Sequence, residues 1–345
     1  QSINFLEKKG MDEMKLKKTL SLILAASMTL ALASCGGNTS SGGNSSSGNA
    51  ADGWPSKTIN IYVTHAAGGD TDYMARQLGI QLGNVLEGVN VVCTNVDGSN
   101  GATCMQQYKD GDTDGYTFIA TNTAAMFGNY ATGMVDFTYD AFEPVAIYGI
   151  QSGENIVVPA DAPYDTLDEL IAASQENPGQ IKFGISTGGG VYIMASVMAN
   201  LGGAEFNIID AGDGATRLTA LLGGEVDATS LPYSTAADYI ADGQLKSLCT
   251  CLSEPPTLLP DQASASDTIP EMQMDTLYAV LAPKGTPAEI VEAMNAAILE
   301  ATGTDEWKTI CNDYCFQDPY VLNVEETLAR MEEQNALLES FMPYL

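Results

Sequence analysis

The most chemically versatile side chains stand in the stretch THAAGGDTDY, residues 64–73. This stretch contains the one histidine of the chain, His65, together with two glycines and the carboxylates Asp70 and Asp72. A histidine beside carboxylates could transfer protons, whereas a glycine turn could present backbone N–H groups to an anion. The stretch follows the alternating apolar run TINIYV, so it is predicted to lie where a strand ends and a helix begins.

A second glycine-rich turn contains Ser186 in GISTG, residues 184–188. The segment matches the G-x-S-x-G nucleophile elbow, and it also lies between a predicted strand and a predicted helix. A serine nucleophile requires a base, for which His65 is the candidate. In hydrolases with this elbow the histidine follows the serine, whereas here it precedes it. We therefore predict a protein that is not an enzyme, and keep a surface hydrolase using Ser186 as an alternative.

Other candidate sites are weaker. DGDTDG at 110–115 resembles the start of an EF-hand loop, but the twelfth position is Thr121 instead of a bidentate glutamate. Neither glycine turn matches a nucleotide-binding motif. The sequence therefore predicts no metal and no cofactor. Six cysteines are interpreted as buried or free thiols, with disulfide pairing left open: Cys93, Cys104, Cys249, Cys251, Cys311 and Cys315.

The charge balance excludes one class of partner. The chain has 14 Lys and Arg residues against 44 Asp and Glu residues, a formal net charge of −30. Such a surface repels phosphate backbones, so no nucleic-acid partner is expected.

The N-terminal segment is typical of export. From Met11 or Met14 the chain has a lysine-rich start, an apolar stretch and then small residues, the pattern of a signal peptide. LASC at 32–35 resembles a bacterial lipobox, which implies lipidation of Cys35. We assign 1–34 to an upstream extension and signal peptide, and 35–53 to the lipidated cysteine and a Gly/Ser/Asn-rich tether. The predicted location is the bacterial cell envelope, anchored by lipid to the outer face of the cytoplasmic membrane.

The rest of the chain alternates short β-rich runs with helical stretches, which indicates an α/β protein. A helix is predicted from Asp70 or Thr71 as N-cap, and another from Thr166, with Glu169 completing a capping box. The two glycine turns fall in different halves of the chain. Strand-end turns bind ligands in open α/β sheets, and helix N-termini favour anions. Two such turns facing one cleft would hold a carboxylate.

Several segments together resemble the solute receptors of the tripartite tricarboxylate transporters, also called Bug receptors. WPSKTINIYVTHAAGGDTDYMAR is similar to the opening of that family. In order after it come DGYT, the stretch YDTLDELIAASQENPGQIKFG, LLGGEVD and LAPKGTP, each of which resembles a family motif. The resemblance covers Trp54 to Met342.

This resemblance implies a two-lobed, type II periplasmic-binding-protein-like fold with a hinge, each lobe a mixed sheet flanked by helices. Lobe one would comprise 54–152 plus 277–345, and lobe two 153–276. The implied function is capture of a small organic acid (a di- or tricarboxylate, an aromatic acid or an amino acid) by a monomer that delivers it to integral-membrane permease subunits. A ligand sensor without a transport role stays an alternative. The implied ligand-binding residues are His65, Ala66, Gly68, Gly69, Asp70, Thr71, Asp72, Thr121, Asn122, Thr123, Ser186, Thr187, Gly188, Gly189, Gly190 and Tyr192.

The sequence departs from the family pattern at Asp70, which adds a carboxylate to the first glycine turn. If Asp70 points into the cleft, a ligand with an amino group is favoured. If it caps the helix outside the cleft, it says little about the ligand. Arg76, one helical turn further on, is interpreted as a structural partner for an acid.

Overall fold

The computed structural model describes residues 51, 53–187 and 189–344. Its strands form two five-stranded sheets. The first sheet consists of β1 (Ile59–Val63), β2 (Val91–Asn95), β3 (Thr117–Asn122), β4 (Phe142–Ile150) and β10 (Leu277–Pro283), in the order β2-β1-β3-β10-β4. The second sheet consists of β5 (Glu154–Pro159), β6 (Lys182–Ile185), β7 (Asn207–Asp210), β8 (Ala228–Pro232) and β9 (Leu245–Thr250), in the order β7-β6-β8-β5-β9.

The α-helices alternate with these strands. They are α1 (Asp70–Val85), α2 (Ala102–Tyr108), α3 (Thr123–Ala131), α4 (Leu167–Glu176), α5 (Gly190–Asn200), α6 (Gly214–Leu222), α7 (Tyr233–Ala241), α8 (Ala288–Thr302), α9 (Asp305–Ile310) and α10 (Val324–Phe341). Within residues 51–344, leaving out 52 and 188, we find no helix with the length and apolar character needed to cross a membrane.

Both sheets are mixed in the same way. In the first, β1 runs parallel to β2 and β3, while β10 is antiparallel to β3 and β4. In the second, β6 runs parallel to β7 and β8, while β5 is antiparallel to β8 and β9. The chain passes between the sheets after β4 and again before β10. The predicted fold class is confirmed, and the lobe boundaries stay a prediction.

Apolar side chains explain why the sheets form. All seven residues of β10 are buried, because this strand lies inside its sheet. Trp307 is fully buried in the cluster that joins the first sheet to α1 and α8. A separate cluster in the second sheet packs α6 and α7 around Val157 and Leu231.

Two smaller expectations concern buried thiols and acidic turns. The six cysteines are free in the structure, and all but Cys93 are buried. The DGDTDG segment forms a turn in which Asp114 pairs with Lys57 at 2.8 Å. These placements agree with the interpretation of thiols in the core and a solvated acidic turn.

The helix caps test the local sequence analysis. Thr166 caps α4 as predicted, since its side chain accepts a hydrogen bond from the Glu169 N–H at 3.2 Å. The Glu169 carboxylate accepts from the N–H of Asp165, one residue before the cap, instead of from the Thr166 N–H, so the predicted capping box is wrong in this half. The prediction of Asp70 or Thr71 as N-cap of α1 is wrong, because the cap is Gly69 in an extended conformation.

The Thr166 cap gives a stability prediction. We expect Thr166→Ala to lower the free energy of unfolding by about 1 kcal/mol, because it leaves a first-turn N–H without its acceptor. Urea unfolding followed by circular dichroism measures the change. Thr166→Ser, which keeps the hydroxyl, is the matched control and should stay close to the wild type. Equal losses in the two variants would contradict a capping role.

Candidate ligand-binding cleft

A cavity of about 330 Å³ lies between the ends of the two sheets. The turn after β1 contributes one wall, from His65 to Asp70. The turn after β6 contributes Ser186 and then Gly189 to Val191 on the other side, and Gly188 lies outside the described residues. The connections between the sheets add Gln151 and Thr276. The cavity is therefore at the carboxyl ends of parallel strands, where open α/β sheets bind ligands.

Two helix N-termini reach this cavity without a side-chain cap. The N-cap of α1 is Gly69 and that of α5 is Gly189, both extended and neither with a capping side chain. Two other helices that begin at the cavity differ, since Asn122 caps α3 and Asp213 caps α6 through side-chain oxygens. The first-turn N–H groups of α1 and α5 are thus the ones left to bind an anion.

The buried carboxylate of Asp72 holds the first glycine turn in place through hydrogen bonds. It is 3% exposed, and its carboxylate accepts from the Gly68 N–H at 2.9 Å and from Asn95 Nδ2 at 2.7 Å. Arg76 Nε lies 2.8 Å from the same carboxylate, the acid partner expected for this arginine. Gly68 has a φ of +88°, a conformation that glycine adopts without strain.

The carboxylate of Asp72 is held in its ionised form. Burial raises its pKa, but the hydrogen bonds from Arg76, Gly68 and Asn95 outweigh that effect, so the net pKa is lowered. The three donors belong to α1, to the glycine turn and to the end of β2. The ionised carboxylate therefore connects these three elements.

His65 is half-buried at the edge of the cavity. Nδ1 lies 2.8 Å from Thr64 Oγ1, and Nε2 lies 3.4 Å from Asn122 Nδ2. Burial lowers the pKa of His65, although the nearby Asp70 acts in the opposite direction. A neutral imidazole with both nitrogens engaged is a poor general base, which disfavours the hydrolase hypothesis for Ser186.

Asp70 lines the cavity, which decides the alternative that the sequence left open. Its Oδ2 accepts a hydrogen bond from Gln151 Nε2 at 2.6 Å and another from Tyr278 Oη at 3.0 Å. It is the first residue of α1 and not a cap outside the cleft.

An arginine in the second lobe was missed by the sequence analysis. Arg217 lines the cavity although it is only 4% exposed, and it donates to the carbonyl oxygens of Ser230 at 3.1 Å and Gly212 at 2.9 Å. Glu154 lies near it and accepts from Ser230 Oγ at 2.6 Å. Burial raises the pKa of Glu154, and Arg217 offsets this only in part. The available signal was an arginine in the first turn of a helix that follows a glycine turn.

The structure brings nine of the predicted site residues to the cavity wall: His65, Ala66, Gly68, Gly69, Asp70, Asn122, Ser186, Gly189 and Gly190. Three more predicted residues are not part of the wall. They hydrogen-bond to neighbouring loop and strand residues, and they are Thr71, Thr121 and Thr123. Thr187 donates to Asp210 at 2.7 Å, and Tyr192 packs against the main hydrophobic cluster. Gly188 and Cys35 lie outside the described residues.

The sequence analysis also missed several residues that line the cavity. Besides Arg217 and Glu154, they include Asn100, Gln151, Asp213, Thr235, Thr276 and Tyr314.

Two mixed sheets with a cavity at their strand ends form a periplasmic-binding-protein-like fold. The chain matches the family described as "Tripartite tricarboxylate transporter family receptor" over residues 74–337. It therefore belongs to that family, which is a family of binding proteins and not of enzymes. The family expectation from the sequence motifs is confirmed.

Individual relatives agree with this assignment. The protein BugT of Bordetella pertussis is 29% identical over 257 residues, which cover 73% of this chain and 78% of BugT. The structure of the periplasmic binding protein BugD has the same fold, with a TM-score of 0.73 and 22% identity over 84% of this chain and 98% of BugD. MatC from Rhodopseudomonas palustris, solved with bound malate, also has a TM-score of 0.73, at 22% identity over 84% of this chain and all (100%) of MatC. A further R. palustris protein, solved with adipate, has a TM-score of 0.74 at 21% identity, over 84% of this chain and 98% of that protein.

The lowered pKa of Asp72 predicts a specific acid dependence. Its contribution to stability is fully present above the unfolded-state pKa of about 3.9 and is lost as pH falls through the lower folded-state value. We expect Asp72→Asn to be less stable than the wild type near neutral pH, and the difference to shrink below about pH 4. Urea unfolding at a series of pH values measures this.

The exposed Asp161, outside the cavity wall, offers a matched control as Asp161→Asn. This control should follow the wild type at every pH. A destabilisation by Asp72→Asn that stays constant down to the acid range would show that ionisation of Asp72 does not stabilise the turn.

Proposed function

We propose that this protein is an extracytoplasmic solute receptor that captures a small organic acid in the cleft and delivers it to a tripartite tricarboxylate-type permease. One observation carries the proposal: two glycine-capped helix N-termini, those of α1 and α5, reach the same cavity from the two sheets. Each N-terminus combines unpaired N–H donors with a partial positive charge. A carboxylate bound by both would link the two lobes.

The chemistry of capture needs no reacting group. Backbone N–H groups bind an anion without the entropy loss of ordering a long lysine or arginine side chain. The relatives solved with malate and adipate support a carboxylate as ligand, since both molecules are dicarboxylic acids. No cofactor is needed for this function.

Delivery follows from closure of the two lobes. In this proposal 54–152 plus 277–345 and 153–276 are the bodies that move about the connections after β4 and before β10. Closure would bury the ligand and form the surface that the integral-membrane subunits recognise. A lipid on Cys35, followed by the 35–53 tether, would hold the monomeric receptor at the outer face of the cytoplasmic membrane.

Ligand binding should appear as thermal stabilisation. We expect the purified protein to be stabilised by one or more acids from a panel of dicarboxylates, tricarboxylates, aromatic acids and amino acids. A ligand at a thousand times its Kd adds about 4 kcal/mol, and each kcal/mol raises the melting temperature of a domain of this size by roughly 2–4 °C. A panel without any stabilising carboxylate would contradict the proposal.

A substitution at the second helix N-terminus tests the mode of binding. A Cβ added at Gly189 would lie 3.3 Å from the Ser186 carbonyl oxygen and 3.6 Å from Asn100 Nδ2, between the two lobes. We expect Gly189→Val to weaken ligand binding at least tenfold, about 1.4 kcal/mol, because the side chain fills the approach to the N–H groups. Isothermal titration calorimetry with the best acid from the panel measures the loss.

The matched control is Gly83→Val, where an added Cβ meets open space on the exposed side of α1. Its affinity should equal that of the wild type. Unchanged affinity in Gly189→Val as well would show that the ligand does not approach the start of α5.

A further inference from the structure

The cavity has a second chemical pole opposite in character to the helix N-termini. It consists of Asp70, Gln151 and Glu154, which we name the acceptor pole. These side chains come from the start of α1, from the connection after β4 and from the start of β5. They meet because the chain crosses between the sheets next to the first glycine turn.

The amide orientation of Gln151 leaves an oxygen to be bound. Nε2 donates to the Asp70 carboxylate at 2.6 Å, and a carboxylate accepts hydrogen bonds, so the amide nitrogen must face Asp70. Oε1 is buried and has no hydrogen-bond partner among the described residues. The side chain is 3% exposed and lines the cavity. A buried acceptor without a partner is unfavourable, and a donor that reached this oxygen as the ligand became enclosed would satisfy it.

The charges of the cavity wall also favour a ligand with a hydrogen-bond donor. Among the described lining residues, three are carboxylic acids (Asp70, Glu154 and Asp213) and one is an arginine, Arg217. Arg217 already donates two hydrogen bonds to backbone carbonyl oxygens. The acids therefore outnumber the one guanidinium, and this balance opposes a ligand that carries only negative charge.

We propose that the ligand carries a protonated amine as well as a carboxylate, as an amino acid does. The carboxylate binds at the N-termini of α1 and α5, and the ammonium group donates to the acceptor pole. An ammonium group has three N–H donors and no acceptor, which suits the oxygens of Asp70, Gln151 and Glu154. This inference rests on the proposed receptor function and narrows its ligand class.

The test compares acids that differ only in the amine. Thermal shift and calorimetry on the wild-type protein would use the twenty common amino acids beside carboxylic acids without an amine, including malate as the hydroxyl counterpart of aspartate. We expect the tightest ligand to be an amino acid, and its N-acetyl and hydroxyl counterparts to bind at least tenfold more weakly.

The outcomes separate this inference from the receptor function. A tightest ligand that lacks an amine, or affinity unchanged by removing the amine, would overturn the ammonium site and leave a carboxylate receptor in place. Binding by neither set of acids would overturn both proposals. The comparison needs no variant, so it does not depend on the folding of a mutant.

A variant assigns the preference to the acceptor pole. Asp70→Asn should lower affinity for the amino acid at least tenfold while affinity for its hydroxyl counterpart stays the same or rises. Asp161→Asn, which removes an exposed carboxylate outside the cavity wall, should leave both affinities unchanged. An equal loss for both ligands in Asp70→Asn would overturn the assignment, since it would show a merely structural role.

Discussion

The ion pair and hydrogen bonds of Asp72 are the interaction on which the site depends. Its buried carboxylate joins the Gly68 N–H, Asn95 and Arg76. These contacts connect the glycine turn after β1 to α1 and to the end of β2. Because the Asp72 carboxylate accepts the hydrogen bond of the Gly68 N–H, the N–H groups of the turn that stay available are those at the start of α1. The geometry proposed to bind an anion is thus built around a buried acid.

Under the proposed function, this arrangement would allow an acidic protein to bind an acid. The formal net charge of −30 disfavours anions at long range, but salt screens that effect within about 10 Å in solution at 0.1 M ionic strength. At the cavity, oriented N–H groups act at hydrogen-bond distance. Arg217 contributes a local positive charge, although backbone carbonyls hold its guanidinium in place. In the proposed capture, local dipoles would therefore matter more than the total charge.

The two helix N-termini at the cavity are held by different kinds of contact. At the start of α5 the glycines allow close packing, since a Cβ added at Gly190 would lie 2.9 Å from Met274 Sδ. At the start of α1 the Asp70 carboxylate is fixed by Gln151 and Tyr278. Tyr278 belongs to the buried strand β10, whereas Gln151 lies in the connection between the sheets. In the proposed receptor, closure of the lobes and the position of Asp70 would share this connection, which would couple ligand chemistry to hinge motion.

The sequence by itself determined the α/β class, the order of the motifs, the two glycine turns and the cap at Thr166. These features depend on local periodicity and turn chemistry, which a short window contains. Only the tertiary structure decided that Asp70 faces the cavity, that Arg217 and Glu154 join it, and that Thr71 and Thr121 stand behind it. Those facts require contacts between residues far apart in the chain, as between Asp70 and Tyr278, and sheet topology sets such contacts while spacing does not.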